Sequence, residues 1–211
     1  MILIKEAEII NMNNDERKNK LKVLFVGNSY TYYNDMPSAY FAPMAEECGY
    51  EAEVMSITRG GYRLCQFADP DNEEGARLRR EIDGKHFNFA VLQEHSVNPI
   101  KDEDGFIKAV GDVASLISAD KFILYATWGR NDGSETLDQL GLTREEMTAK
   151  LSEAYNKAAD KYGMQVAEVG KAFLERSRSG NTDELYDPDK SHPSAIGSEI
   201  AARVILERIN G

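Results

Sequence analysis

The sequence predicts a three-layer α/β fold built on a five-stranded parallel sheet. Apolar, β-prone runs recur at Lys22 to Val26, Ala52 to Ile57, Phe89 to Gln93, Phe122 to Thr127 and Gln165 to Val169, each too short for a helix of ordinary length. Helical patterns lie between them, and strands alternating with helices favour a parallel sheet covered on both faces. The first, third and fourth runs are almost wholly apolar, as strands buried on both sides should be.

Taken in order, the first run ends on Gly27-Asn28-Ser29 and a cluster of tyrosines, and a helix is expected from Pro37 to Glu47. The second run leads through Gly60-Gly61 toward a helix over Glu73 to Ile82, and the third is followed by one over Phe106 to Ile117. After the fourth run comes the clearest helix, "TREEMTAKLSEAYNKAADKY". Thr143 and Glu146 offer a capping box there, and Met147, Leu151, Ala154, Tyr155, Ala158 and Tyr162 mark one face. A last helix is expected over Ala195 to Ile209. Stretches rich in Gly, Asp and Asn at 69–75, 129–141 and 178–191 read as loops.

A chain of 211 residues, 42% of them hydrophobic, suits one domain over 1–211, with residues 1–20 as an N-terminal extension. The net charge of −11 is scattered over helices, so no clustered Lys and Arg invite nucleic acid. No apolar stretch is long enough to cross a bilayer, and the charged N-terminus lacks a small-residue cleavage site, which together predict a cytoplasmic protein without a membrane partner. In that setting the two cysteines, Cys48 and Cys65, are expected as buried thiols.

In open α/β sheets ligands bind beyond the carboxyl ends of the strands, where Ser29 is expected. Near the other end of the chain "YDPDKSHPSAIG" places Asp189 three residues before His192. A serine nucleophile needs an imidazole to take its proton, and the imidazole needs a carboxylate at its other nitrogen; Ser29, His192 and Asp189 supply those parts. His95 has only Glu94 beside it, and adjacent side chains on extended chain point apart. His86 falls before the third strand, at the opposite edge of the sheet, and reads as structural. No His or Cys spacing suggests a metal, and this chemistry needs no cofactor.

On these residues the sequence resembles the SGNH hydrolases, the GDSL esterase and lipase superfamily. The family's Gly-Asp-Ser block is similar to Gly27-Asn28-Ser29, and its Asp-x-x-His block to Asp189 through His192. The resemblance implies a flavodoxin-like sheet of order 2-1-3-4-5 and a Ser29-His192-Asp189 esterase. It also implies an oxyanion hole made by the Ser29 backbone, a glycine after the second strand (Gly61, with Gly60 as the alternative) and a third donor. The family's third block, Gly-x-Asn-Asp, is not found after the third strand. Gln93 stands there as in the Gln-Gly-Glu block of some carbohydrate esterases, while Gly129-Arg130-Asn131-Asp132 follows the fourth strand. Position favours Gln93, because the third strand borders the first, and spelling favours Asn131.

The resemblance, with its Gln-type block, leans the expected substrate toward short-chain esters, O-acetyl groups on a small molecule or oligosaccharide, with Tyr30, Tyr62 and Trp128 as rings around the substrate. Acyl transfer or thioester cleavage on the same site, or a non-catalytic carbohydrate-binding relative, are the competing expectations. A flavodoxin-like phosphate binder is disfavoured because the first loop lacks a phosphate cradle. A homo-oligomer stays open.

Overall fold

The computed structural model describes residues 19–180 and 182–211. Five parallel strands form one sheet: β1 (Asn19–Gly27), β2 (Tyr50–Thr58), β3 (Phe87–Leu92), β4 (Ala119–Ala126) and β5 (Gln165–Glu168), in the order 2-1-3-4-5. The expected N-terminal extension lies, up to residue 18, outside the described residues; Asn19 and Lys20 already pair with Tyr50 and Glu51 in the sheet. The helices are α1 (Ser29–Tyr32), α2 (Ala42–Glu47), α3 (Leu64–Ala68), α4 (Glu73–Ile82), α5 (Asn98–Lys101), α6 (Glu103–Ala114), α7 (Glu135–Leu140), α8 (Arg144–Tyr162), α9 (Val169–Ser179) and α10 (Ala195–Asn210).

The period-two alternation of the strands builds the two outer layers. On β1, Leu24 and Val26 face a core completed by Phe67 of α3, Leu78 of α4, Phe106 of α6 and Tyr155 of α8. Val23 and Phe25 face the other core, with Ala45 of α2, Phe173 of α9 and Ile205 of α10. Because β1 is hydrogen-bonded to β2 on one side and β3 on the other, the chain reverses direction across the sheet at its end. That switch point opens a crevice at the carboxyl edge, where Ser29 stands.

Local signals fix several ends as expected. The Thr143 hydroxyl accepts from Glu146 N–H at 3.1 Å, and the Glu146 carboxylate accepts from Thr143 N–H at 2.8 Å, which starts α8. Four expectations differ. The helix expected over Pro37 to Glu47 is split, with one π-type turn over Met36–Phe41 before α2, because Asn34 and Asp35 enter it through left-handed backbone. Val169 begins α9 instead of ending a strand, and a helix also interrupts the loop at 135–140. Cys48 and Cys65 are free but exposed: each lies on a short helix or its end and points away from both cores.

Candidate active site

The carboxyl end of β1 approaches its neighbours closely. A side chain on Gly27 would put its Cβ 2.5 Å from Thr31 Oγ1 and 2.7 Å from Gln93 Oε1, so only glycine fits before the turn. Asn28 then caps α1, its Oδ1 accepting from Tyr30 N–H at 3.1 Å. Its Nδ2 donates to the Tyr62 carbonyl at 2.9 Å, a bond an aspartate could not make, and so ties this turn to the loop after β2. Ser29 begins α1, and its own N–H has no partner among the described residues.

His192 reaches Ser29 from the loop before α10. Its Nε2 lies 2.8 Å from Ser29 Oγ and its Nδ1 2.5 Å from Asp189 Oδ2. The other oxygen of Asp189 accepts from the backbone N–H groups of Ser191 and His192, both at 2.9 Å. Partial burial works against the Asp189 charge, but the His192 ring and these two N–H groups outweigh it and hold the carboxyl below the usual carboxylate range. The ring of Tyr33 stacks on His192 at 4.5 Å between centroids, and Tyr30 meets it edge-on at 5.5 Å. The sequence puts Tyr33 on a loop expected to surround the pocket; its position over the imidazole comes from the bend at Asn34, whose Nδ2 donates to the Pro193 carbonyl at 3.0 Å.

The loop carrying His192 is pinned from below. Trp128 donates through Nε1 to the Ser191 carbonyl at 3.0 Å, Tyr30 Oη lies 2.9 Å from Ser191 Oγ, and Asn131 N–H donates to the Lys190 carbonyl at 2.9 Å. An imidazole bridging a hydroxyl and a carboxylate in this way can accept a proton from the hydroxyl as it attacks a carbonyl. Together Asn28, Ser29, Tyr30, Gly61, His95, Ser96, Arg130, Ser191 and His192 line a cleft of about 210 Å³. A larger groove of about 520 Å³ lies elsewhere, lined by Tyr40, Met44, Glu199 and their neighbours, and carries none of these groups.

Several expectations change. Gln93 does not offer its amide to the cleft: Nε2 donates to the Glu94 carbonyl, and Oε1 accepts from Asn28 N–H and Thr31 Oγ1, both at 2.9 Å. The backbone N–H of Asn28 identifies that atom as the oxygen. Gln93 thus clamps the Ser29 turn to β3. Asn131 is committed too, with Nδ2 donating to Asp183 at 2.7 Å and Oδ1 accepting from Asp132 N–H. From the Gly129-Arg130-Asn131-Asp132 run it is Arg130 that lines the cleft. Gly61 does line it, held at φ +73°, where glycine is favoured, and its N–H has no partner among the described residues. Gly60 does not line it; a Cβ there would lie 2.9 Å from Tyr32 Oη.

The expected substrate rings also divide. Tyr30 touches the cleft with its ring buried, and burial above all pushes its hydroxyl pKa up, so it stays protonated. Tyr62 packs on Phe67 at 5.8 Å, outside the cleft lining. Trp128 is fully buried between Tyr30 at 4.8 Å and Phe173 at 4.2 Å, both rings nearly parallel to it. Its role is core packing and support of Ser191. Trp128→Ala should therefore cost about 3–5 kcal/mol of stability, measured by denaturant unfolding; an unchanged midpoint with a raised KM would return Trp128 to substrate binding.

Glu94, next to Gln93, is fully buried and accepts from Leu64 N–H at 3.1 Å and His95 N–H at 2.6 Å. Desolvation outweighs those donors and pushes its carboxyl from its ordinary 4.5 up to about 7. Between these values the folded protein holds a proton that the unfolded chain has lost, so stability falls as pH rises through this window and stays lower above it. The stability of the protein relative to Glu94→Gln should fall by roughly 2–3 kcal/mol between about pH 5 and about pH 8. A pH-independent difference would show that the carboxyl is not held neutral.

The same three residue types meet once more, where His86 lies 2.8 Å from both Ser118 Oγ and Asp120 Oδ1. This group sits at the amino ends of β3 and β4, with the His86 and Asp120 side chains 57% and 55% exposed against 25% for His192. Water there screens the charges, and the crevice of the switch point is at the opposite edge. His86 thus lies exposed at the opposite edge of the sheet from the cleft.

No protein-family model matches the chain, nor does any curated protein. Among solved structures, a protein of Slackia heliotrinireducens classed with the SGNH hydrolases is 31% identical, at a TM-score of 0.78, over 90% of this chain and 100% of that one. The chain belongs to the SGNH hydrolases. A carbohydrate acetylesterase family member from Sinorhizobium meliloti (16% identity, TM-score 0.63, 90% of this chain and 97% of that one) shares the fold. So does a family 3 carbohydrate esterase of Clostridium thermocellum (10%, 0.64, 91% and 96%). This SGNH hydrolase is accordingly an enzyme of the esterase and lipase type. Among its described residues no helix is long and apolar enough to cross a membrane, and no group of three or more His, Cys, Asp or Glu is arranged to hold a metal ion.

Proposed function

We propose that this SGNH hydrolase cleaves short-chain acyl esters, O-acetyl groups on carbohydrate in particular, through an acyl-enzyme on Ser29. The observation that carries the reading is the unbroken relay from Asp189 through His192 to Ser29 Oγ, at 2.5 and 2.8 Å. Ser29 attacks the ester carbonyl while His192 Nε2 takes its proton and passes it to the leaving alcohol. Water, deprotonated by the same nitrogen, then releases the acid. The N–H groups of Ser29 and Gly61, both at the cleft, have no partner among the described residues, and each would stabilise the oxyanion by about 3 kcal/mol.

A cleft of about 210 Å³ favours a short acyl group over a long chain. The carbohydrate preference is supported by the fold shared with the Sinorhizobium meliloti and Clostridium thermocellum proteins. A binding protein without catalysis has no use for a carboxylate and imidazole aligned on a hydroxyl. The test is turnover of a chromogenic acetate ester, followed by labelling with a serine-directed fluorophosphonate and mass mapping. Hydrolysis with the label on Ser29 is expected; label on another residue, or an acetate ester left intact, would sink the reading.

A further inference from the structure

The cleft contains a cation that no carboxylate of the described residues neutralises. Arg130 forms no ion pair there, although the chain as a whole carries a net charge of −11. Its guanidinium is nonetheless held in place: the Tyr30 ring lies 5.5 Å below Cζ, and Nη2 donates to the buried Ser96 Oγ at 2.8 Å. Nε is buried without a partner, and Nη1 makes no hydrogen bond among the described residues. Beside it His95 Nδ1 is also buried and unpartnered. Burial first, then the charges of Arg130, Arg63 and Lys101, lower the His95 pKa, so this end of the cleft is positive with a neutral imidazole at its wall.

Buried donors without a partner, such as Arg130 Nε, are costly, and a half-buried guanidinium with no carboxylate beside it is available to an anionic ligand. A guanidinium is a good partner for a carboxylate, and a single one balances one negative charge. We propose that Arg130, with Ser96 and His95, is a carboxylate subsite beside Ser29, so that the preferred substrates are esters bearing a carboxylate close to the scissile acyl group. The inference rests on Ser29 being the reacting residue. The carboxylate could belong to the alcohol, as in an acetylated uronic acid, or to the acyl group, as in the half-ester of a dicarboxylic acid; the chemistry recognised is the same.

Steady-state kinetics on two substrate pairs separates these sources: acetylated glucuronic acid against acetylated glucose, and the 4-nitrophenyl half-ester of succinate against 4-nitrophenyl acetate. The wild type should prefer the charged member of one pair by at least about tenfold in kcat/KM, mainly through KM. Arg130→Gln should lose most of that preference and Arg130→Lys keep part of it. Preference in the sugar pair puts the carboxylate on the alcohol, and preference in the nitrophenyl pair puts it on the acyl side. No preference in either pair overturns the proposal, as does an equal fall for charged and neutral esters in Arg130→Gln. Calorimetric binding of glucuronate and succinate to the wild type, against glucose, requires neither turnover nor a stable variant. Tighter binding of at least one carboxylate, weakened by salt, supports the subsite, and binding no tighter than glucose overturns it. Carboxylate binding in a protein that hydrolyses no ester would instead overturn the Ser29 reading alone.

Discussion

Ser29→Ala should abolish ester turnover, with kcat falling by about six orders of magnitude, close to the background set by the cleft itself. The substitution removes only the atom that lies 2.8 Å from His192 Nε2. It leaves the Ser29 N–H, the Asn28 cap and the Gln93 clamp in place, because these use the backbone and other side chains. Folding should therefore be unaffected within a few tenths of a kcal/mol, and the unfolding midpoint measured beside kcat verifies that the loss is chemical. Residual activity above about one per cent of wild type would point to another nucleophile. His86-Ser118 at the far edge of the sheet is the arrangement to examine in that event.

Asp189→Asn should lower kcat by about four orders of magnitude, by reversing the proton on His192 without emptying the site. Asp189 uses one oxygen to accept from two backbone N–H groups and the other to face His192 Nδ1. An asparagine must keep its single oxygen on the backbone donors, so its NH2 meets Nδ1. The imidazole then carries its proton on Nε2 and donates toward Ser29, where it has to accept. The fluorophosphonate should accordingly label Asp189→Asn far more slowly than wild type, with the unfolding midpoint little changed. Wild-type labelling rates would show that Asp189 is not the orienting carboxylate. Tyr33, stacked on the ring, would then be the next positioning residue to vary.

Much of this molecule was legible in one dimension. Strand runs were visible because burial on both faces demands apolar residues, and α8 because its capping box and apolar face are local patterns. The Asp189 to His192 pair was visible for the same reason: the turn that joins them is closed by bonds three residues long. Ser29 was placed by the rule that ligands gather beyond strand ends, and the observed order 2-1-3-4-5 puts it at the switch point.

What the sequence by itself determined is therefore the sheet, its covering helices and the residue types brought to one edge. Only the tertiary structure decided which of those residues have donors to spare. Gln93 and Asn131 carry the amide that an oxyanion hole calls for, yet they bond to Asn28, Thr31 and Glu94 in one case and to Asp183 and Asp132 in the other, and neither lines the cleft. Trp128 has the ring of a sugar-binding residue but is stacked between Tyr30 and Phe173. Arg130, unremarkable among 25 basic residues, is left facing the cleft with no partner of opposite charge. The physical reason is tertiary in each case: the groups that engage Gln93, Asn131 and Trp128, and the cleft that Arg130 faces, are supplied mainly by segments distant in the chain.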